Sequence, residues 1–351
     1  MGPVPSVPLR AAFLGFRHPH VWDAFQRLQE RPDVEVVACC EEDPATRESL
    51  KRDGKVTITH TDHTALLAEV ETDFVVVGDF YGARGRLVAD SLRAARHVLT
   101  DKPLCTRLSE YQEIAALAGP GPAGNGRPVL GMMLDMRDSG NFRALRDLVR
   151  QGAIGDAQAI SMGGQHPLLR GTRPAWYHEK DRHGGTINDI AIHGVDAIRW
   201  ITGREFDRVL AARAWRGNAP ESSAMKSAAQ CMLTLDNGCG VLADVSYLSP
   251  DSHRYTLPLY WRMTLWGTRG VIETANNASG VTLYQEGKTS GEVVPPAPAQ
   301  PGGYLESFLS QVRGSPIPDA LTPAEVLRAS YIVLKTQEAA DRGLTNVDLR
   351  P

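Results

Sequence analysis

The chain has 351 residues, 42% of them hydrophobic and 23% charged, and a formal net charge of −3. That length admits one to three domains, with two the natural prior, and the composition is that of an ordinary globular protein. Charges of both signs are mixed along the chain, which argues against a general nucleic-acid binder with its clustered basic face. No run approaches the about 18 apolar residues that a membrane span needs. Five cysteines without a Cys-x-x-Cys pair do not make a disulfide framework, and the adjacent Cys39 and Cys40 suit buried thiols in a reducing compartment. The start, MGPVPSVPLR, lacks the charged and apolar regions of a secretory signal, so a cytoplasmic location is expected.

In chain order, Leu9–Gly15 reads as a short apolar strand closed by glycine, followed by a helical pattern over His20–Glu30. A second strand follows at Val34–Cys40, and Asp43-Pro44 opens a helix. Further strands are predicted near Val56–Thr59, at Phe74–Val77 and at His97–Thr100, with helices at His63–Val70 and Arg84–Ala95. Strands alternating with helices at this pitch predict βαβ units on a doubly wound parallel sheet, an α/β class. Gly119–Pro128 reads as a loop and domain junction, giving expected domains at 7–127 and 128–351. Beyond it come a strand at Val129–Asp135 and a helix at Asn141–Gln151. From about Val209 to Ala275, alternating runs at Gln230–Leu235, Val241–Leu248 and Trp261–Leu265 are bounded by turn residues and predict antiparallel strands. A proline-rich loop at Gly291–Gly303 precedes helices near Leu305–Gly314 and Pro323–Arg342. The second half is therefore expected to be α+β with an open, mainly antiparallel sheet, one face of which is free to pack on another subunit.

In a doubly wound sheet a dinucleotide sits at the first βα turn, whose fingerprint is G-x-G-x-x-G. Here that turn reads Gly15-Phe16-Arg17-His18-Pro19-His20, and only the first glycine is present. Two features keep a cofactor in view. Glu41 ends the second strand, where an acid holds a ribose 2′-hydroxyl and repels a 2′-phosphate, favouring NAD over NADP. The following helix N-terminus offers amides to a phosphate, and Arg17 adds a charge. His18 and His20 also invite a metal reading, but no third ligand stands at diagnostic spacing and no metal is expected.

The stretch Gly184–Gly203 stands out. Ile187, Ile190, Gly194, Ile198 and Ile201 recur at helical intervals, and Asp189 and His193 stand four apart, which stacks a carboxylate and an imidazole on one face. Thr186 with Asp189 equally fits a capping box. After a glycine bend, the pair reads as an acid/base platform. His166, Arg173, Trp176, Tyr177 and His178 form a polar-aromatic group suited to sugar hydroxyls and faces, or to packing under a loop.

Asp101-Lys102-Pro103, the series Gly184-Gly185, Asp189, His193, Asp196, and the ending from Thr322-Pro323 to Arg342-Gly343 together resemble the Gfo/Idh/MocA family of NAD(P)-dependent oxidoreductases over nearly the whole chain. The resemblance implies a Rossmann domain followed by an open-faced sheet domain, with Lys102, Asp189 and His193 as catalytic residues and a nicotinamide between the domains. It implies oxidation of a secondary hydroxyl of a sugar, polyol or related molecule, or the reverse. The cofactor positions are Gly15, Phe16, Arg17, His18, Glu41, Asp79, Phe80 and Lys102, and the substrate positions His166, Arg173, Trp176 and Tyr177. The family's Thr-Pro-Asn segment is here Asp79-Phe80-Tyr81, and Arg84 stands where a histidine is usual. An added acid near a pyrophosphate is unfavourable unless Arg17 or Arg84 pairs with it. Two other readings remain: an enzyme using tightly bound NAD for redox-neutral glycoside cleavage or epimerisation, and a non-catalytic dinucleotide or sugar sensor.

Overall fold

A computed structural model of the chain describes residues 7–118 and 126–350; most of the predicted junction at Gly119–Pro128 lies outside the described residues. The contacts divide the chain into two compact units: residues through Met133 with Tyr304–Leu327, and Leu134–Gly303 with Arg328–Pro351. This differs from a single cut near residue 127. Tyr304, Leu305, Phe308 and Leu309 belong to the core that Phe13, Phe25, Phe74 and Leu99 build, so a late segment completes the first unit.

The first unit runs β1 (Leu9–Leu14), α1 (Val21–Gln29), β2 (Val34–Cys40), α2 (Pro44–Asp53), α3 (His63–Glu69), β3 (Phe74–Val77), α4 (Tyr81–Arg93), β4 (His97–Thr100), α5 (Leu108–Ala118) and β5 (Leu130–Met132). All five strands are parallel in the order β2-β1-β3-β4-β5. The chain reverses its direction of travel between β1 and β3, and that switch point is where such sheets bind ligands. Buried apolar runs explain the strands: every residue of Phe74–Val77 is fully buried. The strand expected at Val56–Thr59 is instead irregular backbone, held to β2 where the Thr59 and His60 amides donate to the Cys39 carbonyl. Asp43 caps α2, accepting from the Thr46 amide, and Gly54 ends it in the left-handed conformation.

The second unit contains α6 (Gly140–Arg150), β6 (Ala157–Pro167), a π-helical turn (Ile187–Ala191) leading into α7 (Ile192–Thr202), β7 (Phe206–Trp215), β8 (Ala228–Leu235), β9 (Gly240–Ser249), β10 (Met263–Gly267), β11 (Gly270–Thr274), β12 (Val281–Gln285) and β13 (Glu292–Val294). The chain closes with α8 (Gly303–Val312), α9 (Pro323–Arg342) and β14 (Val347–Asp348). The nine-stranded sheet has the order β13-β12-β11-β10-β6-β9-β8-β7-β14 and is antiparallel except for the β6–β9 pair. Helices α6 and α7 pack on one face, touching β6, β11 and β12.

Strand β6 was hidden in the sequence by Gly163-Gly164, since glycine is depleted in strands. The glycine has a packing cause: a Cβ on Gly164 would lie 2.7 Å from Trp261 and 2.9 Å from Ile190. All five cysteines are buried thiols, and burial pushes those of Cys39 and Cys40 up to about 12. No helix among the described residues is long and apolar enough to cross a membrane.

Candidate active site

The turn after β1 begins at Gly15, whose φ of +82° and neighbour Asp79, 2.6 Å from any added Cβ, require glycine. A Cβ on Gly78, after β3, would collide with Val21 of α1. The close helix–strand approach that the missing third glycine normally allows is therefore supplied from the neighbouring strand.

Arg17 lies between two acids. Its Nε and Nη2 donate to the Asp79 carboxylate at 2.5 and 2.7 Å, and its Nε is 3.6 Å from Glu41. The extra acid at Asp79 is thus neutralised by Arg17, as the turn requires. Phe80 lies under the guanidinium, 4.5 Å from ring centroid to Cζ. Glu41 is fully buried, and its oxygens accept from the Phe16 and Asp43 amides at 2.8 and 2.9 Å. Burial pushes its carboxyl above the ordinary range.

Two further features describe the turn. Glu41 braces the turn from within and presents no exposed oxygen to a ribose. The first-turn amides of α1 are also taken: Val21, Trp22 and Asp23 donate to the His18, Pro19 and His20 carbonyls. In this arrangement the Arg17 charge is taken up by Asp79 and Glu41, and the Glu41 oxygens are taken up by backbone amides.

Next to this turn, the sheet brings together groups that lie far apart in sequence. Asp101, fully buried, takes the Nδ1 of His18 in a short contact, the Nδ1 of His20 at 3.2 Å, Arg84 at 2.7 Å and the Lys102 amide at 2.7 Å. The Tyr81 hydroxyl lies 3.1 Å from the Nε2 of His18. Burial outweighs the attraction of Asp101 and holds His18 neutral, with a pKa lowered to about 3. Asp101 stays ionised despite burial because Arg84, His18 and His20 surround it. His18, expected at the cofactor, is engaged here instead and is 3% exposed. Lys102 is buried, its Nζ 5.8 Å from the centroid of the Tyr81 ring.

In the second unit, Gly184 and Gly185 have φ of +76° and +97°. The Gln337 side chain occupies the space a Cβ on Gly185 would need, and its Oε1 accepts from the Ile187 and Asn188 amides at 3.0 and 3.4 Å. Gln337, not a Thr186–Asp189 capping box, closes this helix start; the Thr186 hydroxyl donates to the Lys226 carbonyl. Gly185→Ala is expected to cost about 1–3 kcal/mol, because it combines a disfavoured backbone with displacement of Gln337. A lowered urea midpoint with unchanged slope checks this.

Asp189 accepts a short hydrogen bond from the Tyr247 hydroxyl and lies 3.4 Å from the Nε2 of His183. All three residues are buried. Burial and the Asp189 charge push the Tyr247 hydroxyl well above its ordinary pKa, so it remains a donor. The Nδ1 of His193 lies 3.5 Å from Asp135, and its ring centroid is 5.3 Å from Trp261. Asp196 is structural: Arg137 grips it at 2.8 and 2.6 Å in a buried pair.

Tyr247 links this array to the polar-aromatic group. The Arg173 guanidinium sits 4.8 Å from the Tyr177 ring and 5.1 Å from the Tyr247 ring, bonded to the Pro167 and Leu168 carbonyls and the Tyr177 and Tyr255 hydroxyls. His166 is ringed by Tyr247, Tyr255, Tyr260 and Trp261. Trp176 stacks on Tyr177 at 4.1 Å, and both are buried, so these two pack rather than offer a sugar platform. His178 bonds Ser223.

Sequence reasoning missed Tyr247 and His183. The signal for Tyr247 was strand parity: it shares a face with the buried Val241, Ala243 and Val245, and a buried phenol needs a partner. A hollow of about 950 Å³ lies elsewhere, on the exposed sheet face by Met232, Leu242, Arg262 and Trp266, and Asp189 and His193 do not line it.

Two family models match the chain: "Oxidoreductase family, NAD-binding Rossmann fold" over residues 12–120 and "GFO/IDH/MocA C-terminal domain" over residues 142–273. The chain is 28% identical over 139 residues to 1,5-anhydro-D-fructose reductase of Ensifer adhaerens, which is 39% of either protein. It is 22% identical to inositol 2-dehydrogenase 1 of Saccharopolyspora erythraea, over 69% of this chain and 65% of that enzyme. The myo-inositol 2-dehydrogenase structure from Lactobacillus plantarum is similar in fold, with a TM-score of 0.75 at 20% identity, covering 98% of this chain and 100% of that one.

Proposed function

Because the chain belongs to the Gfo/Idh/MocA family of NAD-binding oxidoreductases, we propose that it transfers hydride between a nicotinamide and a secondary hydroxyl of a sugar, polyol or related small molecule. The nicotinamide supplies the hydride acceptor or donor. His193 takes the hydroxyl proton, since an imidazole titrates near neutrality. Lys102 supplies the cation that stabilises negative charge developing on that oxygen. Asp189 orients substrate and histidine, and is itself held by Tyr247 and His183. The observation that carries this reading is the Asp189 carboxylate: it stands in a fully buried array of hydroxyl and imidazole groups, contiguous with tyrosines, where a helix cap alone needs none of them.

Arg17 holds the pyrophosphate, and NAD is the preferred cofactor, since Glu41, Glu42 and Asp43 make the end of β2 negative toward a 2′-phosphate. Substrate hydroxyls meet His166 and Tyr260 of the aromatic group. The chain assembles as a homodimer or homotetramer through the exposed sheet face, where Met232, Leu242 and Trp266 stand about half exposed.

NADH titrated against tryptophan fluorescence is expected to give saturable quenching. Trp22, whose ring centroid is 5.2 Å from that of Phe16 in the turn, is the local reporter, and Trp22→Phe should remove most of the signal. A flat wild-type trace sinks the proposal. A panel of sugars and polyols with NAD, followed at the NADH absorbance, then identifies the substrate.

A further inference from the structure

The His18-Pro19-His20 turn has no role in the hydride chemistry above, and the fold brings it a third donor. We propose that His18, His20 and Asp101 bind a divalent transition-metal ion of the zinc class, through the Nδ1 atoms of both imidazoles and one carboxylate oxygen. The ligating atoms lie within 4.8 Å of one another. Two atoms each 2.0–2.1 Å from a tetrahedral ion stand about 3.3 Å apart. The His20 Nδ1 and the Asp101 Oδ1 are 3.2 Å apart, close to that separation, while the His18 Nδ1 meets the other oxygen of the same carboxylate, Oδ2.

The surroundings match those of a metal centre. A ligating imidazole donates its other ring N–H to a fixed partner, and a ligating carboxylate is itself hydrogen-bonded. The Tyr81 hydroxyl stands 3.1 Å from the Nε2 of His18, while Arg84 and the Lys102 amide hold Asp101. The Tyr81 hydroxyl at Nε2 and the Asp101 carboxylate at Nδ1 together fix the orientation of the His18 ring.

His18 and Asp101 are buried, whereas the His20 side chain is 49% exposed, so the fourth position of a three-ligand site opens to solvent. Two imidazoles with one carboxylate favour zinc, iron or nickel over magnesium or calcium. The Arg84 charge sets the affinity below that of a site whose carboxylate is unpaired. The site rests on the first unit alone and is independent of the hydride-transfer reading.

Chelator-treated protein titrated with Co²⁺ is expected to develop visible d–d absorption saturating at one equivalent per chain and displaced by Zn²⁺. His20→Ala, which removes a half-exposed side chain, should weaken Co²⁺ binding at least tenfold with an unchanged circular dichroism spectrum. Three results each overturn the site: no saturable absorption in the wild type, binding in His20→Ala within tenfold of wild type, or a thiolate charge-transfer band. NADH titration of the same metal-free protein reads the dinucleotide proposal separately.

Discussion

Lys102→Ala is expected to lower kcat at least about 10²-fold, the low end of what a positioned acid–base group contributes. The fold should survive it. The bond that ties this position to Arg84 uses the Lys102 carbonyl, and the bond to Asp101 uses its amide, so the side chain carries neither. The Lys102 side chain is buried with its Nζ 5.8 Å from the centroid of the Tyr81 ring, while its backbone is anchored independently. Measured with a substrate found by the panel, the variant should lose kcat far more than it raises KM, because the charge is needed only as the oxygen becomes anionic. Turnover within a few-fold of wild type would remove the lysine from the chemistry while leaving the cofactor assignment standing.

Arg137→Ala carries the largest expected stability effect, about 3–5 kcal/mol, the usual consequence of stranding one partner of a buried ion pair. Arg137 and Asp196 are 7% and 0% exposed, and the guanidinium also lies 5.7 Å from the centroid of the Trp200 ring. Removing both charges together, as Arg137→Met with Asp196→Leu, should recover most of the loss, since no unpaired carboxylate remains. Urea denaturation of the three proteins checks this. A loss below about 1 kcal/mol in the single variant would mean that water reaches Asp196.

Local chemistry made much of the first unit legible in the sequence. Val34–Cys40, Phe74–Val77 and His97–Thr100 are rich in β-branched and apolar residues, and they form strands with those bounds. Asp43-Pro44 announced a capped helix, and Gly203 a helix end, for reasons that need only neighbouring residues. What depends on distant partners could not be read. Spacing gave Asp189 and Thr186 the look of a capping box, but the Thr186 hydroxyl donates to the Lys226 carbonyl instead, and Gln337 arrives from α9 to accept from the helix-start amides. Glu41 carried the sequence signature of a ribose ligand, yet the fold turns it onto its own chain. The polar-aromatic group was half legible. Arg173, Tyr177 and His166 do gather, but around Tyr247, a strand residue with no motif to mark it, and Trp176 is packed away. The two histidines of the first turn lacked a third donor within reach of any spacing argument, because Asp101 comes from the end of β4.

The role of Gln337 has a bearing on how the protein comes into being. The amides of Ile187 and Asn188 leave the ribosome 149 or more residues before the side chain that accepts from them. Domains generally fold in the order in which they emerge. The segment holding Asp189 therefore waits, with its helix start unsealed, until residue 337 has been translated. A nascent chain halted before residue 337 would have its sheet strands through β13, with Asp189 and His193, but no lock on the turn that carries them.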